Sequence, residues 1–158
     1  VGGDIGGIAE VEVLEALDVV EARQLHAIAA RDLASELVGR VKATIRECSV
    51  MEAQECVNTH TLLIDIREPA EFQRGHIPGA VHLPRGLLEF EIHGLVQRMQ
   101  AEAAGSPEDH PIVLYCGTGG RSALAAETLT TMGYRNVRSM SGGLVAWAQA
   151  RLPVDVPG

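Results

Sequence analysis

Hydrophobic positions change their period along this chain, and each change marks an element. From about Val11 to Ile45 there is no Pro and a single Gly, Gly39. Leu25, Ile28, Ala29, Leu33, Leu37, Val41 and Ile45 recur at three- and four-residue steps, with Arg23, Arg31, Glu36 and Arg40 between them. That spacing predicts a long amphipathic helix, with Gly39 as the place where it would break. Its apolar stripe suits packing on its own domain or a homodimer contact, and the sequence leaves both open. Residues 1 to 9 are rich in Gly and read as poorly ordered. Beyond Ser49 the pattern shortens. Leu62-Leu63-Ile64-Asp65-Ile66 and Ile112-Val113-Leu114-Tyr115 are apolar runs of strand length, with Val81-His82-Leu83 and Val137-Arg138-Ser139-Met140 as weaker strands. Leu88, Ile92, Leu95, Val96 and Met99 return to helical spacing, as do Ala125, Leu129 and Met132, the latter closed by Gly133 as a cap. Leu144, Trp147 and Ala148 mark a last helix, which the hydroxyl of Ser141 is expected to cap. Strands alternating with helices predict an α/β fold: a mostly parallel central sheet with helices on both faces. The expected organisation is an N-terminal extension over 1–44 and one domain over 45–158.

Composition narrows the function classes. The 158 residues suit one domain, and 46% hydrophobic against 22% charged is a globular balance. Aromatics are only 3%, so the core must be aliphatic. Thirteen Lys and Arg against 21 Asp and Glu leave a net charge of −8, which argues against nucleic-acid or anionic-membrane partners. No apolar run approaches the roughly 18 residues of a membrane span. No basic-then-apolar opening suggests a secretory signal, and a start at Val1 leaves room for residues upstream. Three cysteines form neither a disulfide framework nor a zinc site, which predicts a reducing, cytoplasmic compartment. No cofactor or metal is implied, since His26, His60, His82, His93 and His110 show no ligand spacing.

Chemistry concentrates in one loop. In an open parallel sheet, reactive groups gather beyond the carboxyl ends of the strands. Cys116 stands there, followed by Gly117-Thr118-Gly119-Gly120, then Arg121 and Ser122 at a helix start. Glycines let successive amides turn inward as an anion nest around the sulfur, and the helix start adds its free N–H groups. Both favour thiolate, so the Cys116 thiol is expected below its ordinary pKa. Arg121 supplies a permanently charged fork for an oxyanion. Taken singly, a Cys ending a buried strand is ordinarily a small core side chain, and a Gly-rich turn is ordinarily a tight connection. An Arg at a helix start opposes the dipole, which makes a purely structural role uncomfortable. The three together point to a covalent nucleophile in an anion cradle.

The segment Cys116 to Ser122 resembles the active-site loop of the rhodanese (thiosulfate sulfurtransferase-like) family. Leu63-Ile64-Asp65-Ile66-Arg67-Glu68-Pro69-Ala70-Glu71-Phe72, then Gly75-His76-Ile77-Pro78-Gly79-Ala80, is similar to that family's other hallmark. Gly142-Gly143, Trp147 and Leu152-Pro153-Val154 fit its C-terminal end, although Arg151 stands where many members have Gly. The resemblance runs from about Ile45 to Val154, roughly two thirds of the chain. It implies a rhodanese-like fold and a second-layer role for Asp65 and Arg67, bracing the active-site region; His76 matches a structural histidine. Physically, Pro69 suits a first helical position, Gly75 a helix stop, and Pro78-Gly79 the centre of a type II turn. Arg85, soon after the third strand, is a candidate to face the cleft and recruit anions. Cys48 and Cys56, without a nest or a basic neighbour evident in sequence, read as structural or incidental.

The activity so implied is sulfur transfer by a persulfide on Cys116, from a donor such as thiosulfate to cyanide or a thiol, including a protein thiol. Two other readings compete. A cysteine-dependent phosphatase or arsenate reductase places five residues between nucleophile and Arg; here there are four, so the loop is shorter by about 3.5 Å of chain. A non-enzymatic binding or regulatory module would be expected to lose the Cys or fill the loop, and this chain keeps both Cys and glycines.

Overall fold

The computed structural model describes residues 31–101 and 104–157. The chain divides into two compact units, 1–34 and 35–158. The expected helix from Val11 therefore lies largely outside the described residues. Its described part, α1 (Leu33–Lys42), is unbroken at Gly39 and buries Val41. Next come β1 (Glu47–Cys48), α2 (Val50–Cys56), β2 (Leu62–Asp65), α3 (Pro69–Arg74) and β3 (Val81–His82). A 3₁₀ turn leads into α4 (Leu88–Gln100), followed by β4 (Ile112–Tyr115), α5 (Gly120–Met132), β5 (Val137–Met140) and α6 (Gly143–Gln149). The strands form one sheet in the order β1-β5-β4-β2-β3, every pairing parallel. Among the described residues no helix is long and apolar enough to cross a membrane.

Alternation along the strands sorts the core into two layers. Leu62, Ile64, Ile112, Leu114 and Val137 meet Leu88, Ile92 and Val96 of α4 and Ala125, Ala126 and Leu129 of α5. Leu63, Val113, Tyr115 and Met140 face the other way, onto Ala53 of α2, Ile77 and Trp147 of α6. Helices thus cover both faces, which is why β2 and β4 are buried at every position. Local chemistry sets several boundaries. Pro69 opens α3, and Gly75 ends it at φ 149°. Gly133 ends α5 at φ 114°, in the left-handed region that glycine tolerates. Gly79 takes φ 82°, and Ala80 N–H donates to Ile77 O at 3.0 Å, the type II turn expected at Pro78-Gly79.

Three elements differ from the sequence reading. The strand β1 and helix α2 are additional, with α2 opened by a capping box in which Ser49 and Glu52 bond each other's backbone amides. Ser141 does not cap the last helix. The N-cap is Gly142 at φ 76°, and Ser141 Oγ instead bonds Glu47 Oε2 at 3.2 Å.

Candidate active site

The strand β4 delivers Cys116 to the carboxyl edge of the sheet, and the chain turns at once into α5. The side chain is 1% exposed, so its sulfur is withdrawn from solvent. Cys116 Sγ accepts hydrogen bonds from the N–H groups of Gly119 at 3.2 Å and Ser122 at 3.4 Å, with Ser122 Oγ 3.5 Å away. Ser122 is the third residue of α5, whose N-cap Gly119 has no side chain to offer. The sulfur therefore occupies the place of a capping oxygen, taking up a helix-start amide that would otherwise be orphaned. Burial alone would push the Cys116 thiol up. Bonds from the Ser122 hydroxyl and the amides of Ser122, Gly119 and Thr118 outweigh it and hold the thiol below its ordinary range. Of the three loop glycines only Gly119 needs its freedom, at φ 100°.

Inward-facing amides require outward-facing carbonyls, and these too have partners. Leu144 N–H donates to Cys116 O at 2.8 Å, and Val145 N–H to Gly117 O at 3.0 Å. The first turn of α6 thereby clamps the loop from behind. Gly143 permits this approach: a Cβ there would lie 2.5 Å from both carbonyl oxygens, and its φ is 60°. The Gly142-Gly143 pair is the sequence signal for this clamp, which composition alone does not reveal.

Arg121 does not extend freely toward an anion. Its Nη1 and Nη2 bond Glu71 Oε2 and Oε1 at 2.8 and 2.9 Å, a two-pronged pair between α5 and α3. That bond holds the Glu71 carboxyl down at about 2. The guanidinium still borders the loop, since a Cβ on Gly117 would lie 3.3 Å from Arg121 Nη2. Glu71 is a site residue that the sequence reading passed over, although it lies within the quoted hallmark segment. One layer below, Asp65 and Arg67 pair closely, with Arg67 Nη2 2.7 Å from Asp65 Oδ2 and 2.6 Å from Gly75 O. Both are buried, and the several bonds on each charge offset the loss of water. Arg67 also lies 6.0 Å over the ring of Tyr115, the residue before Cys116. Tyr115 in turn accepts from Ile77 N–H through its hydroxyl at 3.0 Å. This lattice ties the end of β2 and the stop of α3 to the base of the loop.

Other candidates fall elsewhere. Arg85 is engaged by Glu89 and by Thr128 Oγ1, the latter at 3.2 Å, and among the described residues it makes no bond to the loop. The carboxylate of Glu89, in the first turn of α4, engages Arg85 from the preceding 3₁₀ turn, so Arg85 is not brought to the loop as expected of an anion-recruiting residue. His76 stacks on Phe72 with ring centroids 3.8 Å apart and bonds Phe72 O through Nδ1, a structural engagement. Cys56 does have a basic neighbour: Arg138 Nη2 reaches its Sγ at 3.4 Å. Burial pushes the Cys48 thiol up to about 11 despite Arg138, which keeps it protonated and inert. Among the described residues no group of three His, Cys, Asp or Glu converges as a metal site.

The rhodanese-like domain family matches residues 49–150. A protein named sulfurtransferase from Allochromatium vinosum is 38% identical over 96 residues, spanning 61% of this chain and 79% of that protein. The thiosulfate sulfurtransferase GlpE of Haemophilus influenzae is 34% identical over 113 residues, 71% of this chain and 96% of its own. Among solved structures, a protein of unknown function from Rhodopseudomonas palustris, described as a possible tyrosine phosphatase, superposes with a TM-score of 0.64. It is 30% identical and covers 80% of this chain and 96% of that one.

Proposed function

Because the chain belongs to the rhodanese-like family, we propose that it is a sulfurtransferase working through a persulfide on Cys116. The observation that carries this reading is the convergence on Cys116 Sγ of two donating backbone amides within 3.4 Å, with the Ser122 hydroxyl 3.5 Å away and able to donate once the sulfur is ionised. The names of the two sulfurtransferase relatives support the general activity. In the first step the thiolate attacks the outer sulfur of a donor such as thiosulfate. A sulfur–sulfur bond forms to Cys116, the donor's own breaks, and sulfite leaves with its electron pair. Inward amides stabilise charge on the cysteine and on the transferred sulfur without any proton having to move. Arg121, bordering the loop, faces the departing oxyanion. In the second step a thiol or cyanide attacks the outer sulfur, and the Cys116 thiolate is restored.

The four-residue spacing between Cys116 and Arg121 supports sulfur over phosphoryl transfer, since a shorter loop leaves less room for a tetrahedral group. Incubation with thiosulfate is expected to add the mass of one sulfur atom to the wild-type chain and nothing to Cys116→Ala. Equal labelling of both proteins overturns the reading. Turnover of an aryl phosphate as fast as that of thiosulfate would favour the phosphatase alternative.

A further inference from the structure

One polar side chain in the buried sheet has a role that the loop alone does not explain. The face of the sheet toward α4 and α5 is aliphatic: Leu62, Ile64, Ile112, Leu114 and Val137. Ser139 of β5 follows Val137 by two residues and so shares this face. Its side chain is fully buried, where a parallel strand ordinarily carries Val or Ile. Ser139 Oγ lies 2.8 Å from Ser122 Oγ, and Ser122 Oγ lies 3.5 Å from Cys116 Sγ. Among the described residues Ser122 is the only recorded partner of the Ser139 hydroxyl.

We propose that Ser139 is a positioning residue that holds the hydroxyl proton of Ser122 on the sulfur of Cys116. The inference rests on Cys116 as the reacting sulfur. It follows from counting protons. Each serine hydroxyl has one to give, and a thiolate has none. When the sulfur is ionised, the Ser122 proton points at Sγ, so the proton in the bond between the two serines belongs to Ser139. The chain then runs Ser139 to Ser122 to Cys116, with every proton bonded. When the thiol instead donates to Ser122, one hydroxyl proton is left over: that of Ser139 if Ser122 donates to Ser139, or that of Ser122 if Ser139 also donates to it. Either proton is then left in the buried sheet without an acceptor in the chain, a penalised arrangement. Ser139 thus selects the direction of the chain, and the chosen direction is the one that favours the anion. No bond is made or broken in this role.

Ionisation of Cys116 is read from the ultraviolet absorbance of its thiolate across a pH titration. Each variant is compared with the same variant carrying Cys116→Ala, so that Cys48 and Cys56 cancel. Ser139→Ala is expected to raise the Cys116 midpoint by about half to one pH unit. Ser139→Thr, which keeps the hydroxyl, is expected to stay near the wild type. In a Ser122→Ala background, adding Ser139→Ala is expected to produce no further shift, because the intermediary is gone. An unchanged midpoint in Ser139→Ala overturns the proposal, as does a shift that persists without Ser122 or a Thr variant that moves as far as Ala. Should Ser139→Ala not fold, Ser139→Cys keeps the volume with a weaker donor. A smaller upward shift in it supports the role, and no shift overturns it. The titration uses no sulfur donor. Failure of the wild-type chain to transfer sulfur would therefore sink the transferase reading while leaving the Ser139 result to stand on its own.

Discussion

Arg151 adopts φ 59°, a left-handed conformation that penalises any side chain with a Cβ. The left-handed backbone costs Arg about 1–2 kcal/mol, whereas Gly adds about 0.5–1 kcal/mol of unfolded-chain entropy to be lost. The conformational term is the larger, so Arg151→Gly is expected to stabilise the fold by about 0.5–1 kcal/mol. A rise in thermal midpoint checks this. His110 presents the opposite case, a titratable ring where water cannot reach. It is 3% exposed, its Nε2 has no partner among the described residues, and His60 stands edge-on at 6.3 Å. Burial holds its pKa below the ordinary 6.5, and a hydrogen bond with the His60 backbone opposes that shift without cancelling it. Above 6.5 the ring is neutral whether folded or unfolded, and its contribution to stability is complete. As pH falls below 6.5 the unfolded chain binds a proton that the folded chain refuses, so stability declines until the lower folded value is reached. Glu71 titrates below 4.5 and stays out of this window. Urea midpoints measured from about pH 7.5 to about pH 5.5 are expected to fall for the wild type and to flatten for His110→Phe.

Between elements, the decisive contact is the clamp of α6 on the loop. Gly143→Ala puts a methyl 2.5 Å from two carbonyl oxygens at φ 60°, and neither oxygen can retreat without losing its bond. A loss of about 3 kcal/mol is expected, with sulfur transfer falling further than stability because the amide cradle opens. Gly39→Ala in α1 meets nothing within 4 Å and is expected to stabilise by about 0.5–1 kcal/mol. Paired urea melts and turnover assays separate the two outcomes. The same contrast explains what was legible in the sequence. The strands β2 and β4 are readable because burial on both faces makes them continuous apolar runs. The strand β1 has two residues and α2 has seven, too short for a period to show, although Ser49 and Glu52 were a capping signal in plain view. Ser141 misled because a hydroxyl before a helix ordinarily caps it, whereas here the first amides of that helix serve the loop. Cys116 to Ser122 is contiguous and so declares itself. Glu71 and Ser139 reach the site from another helix and another strand, and only folding brings them there. Arg85 reads as available until the first turn of the next helix, α4, supplies Glu89.

Over the whole molecule, charge opposes an anionic donor. The net charge is −8, and Arg121, which borders the loop, is already paired with a carboxylate. Glu71→Gln removes that carboxylate and one negative charge while leaving an amide to bond Arg121. KM for thiosulfate is expected to fall about two- to five-fold, the range of an exposed pair, with less effect on an uncharged donor. Steady-state kinetics with both donors checks it, and an unchanged KM argues that Arg121 does not meet the donor. The doubled duty of Cys116 reaches further still. Its sulfur plugs the open end of a helix as well as offering itself for reaction, so a lineage that abandons the chemistry would also weaken its own scaffold by about 1 kcal/mol. Descendants that have retired from catalysis are therefore expected to carry serine or aspartate there, whose oxygens can grip the same amides, in preference to alanine. In this fold, silence has a structural signature.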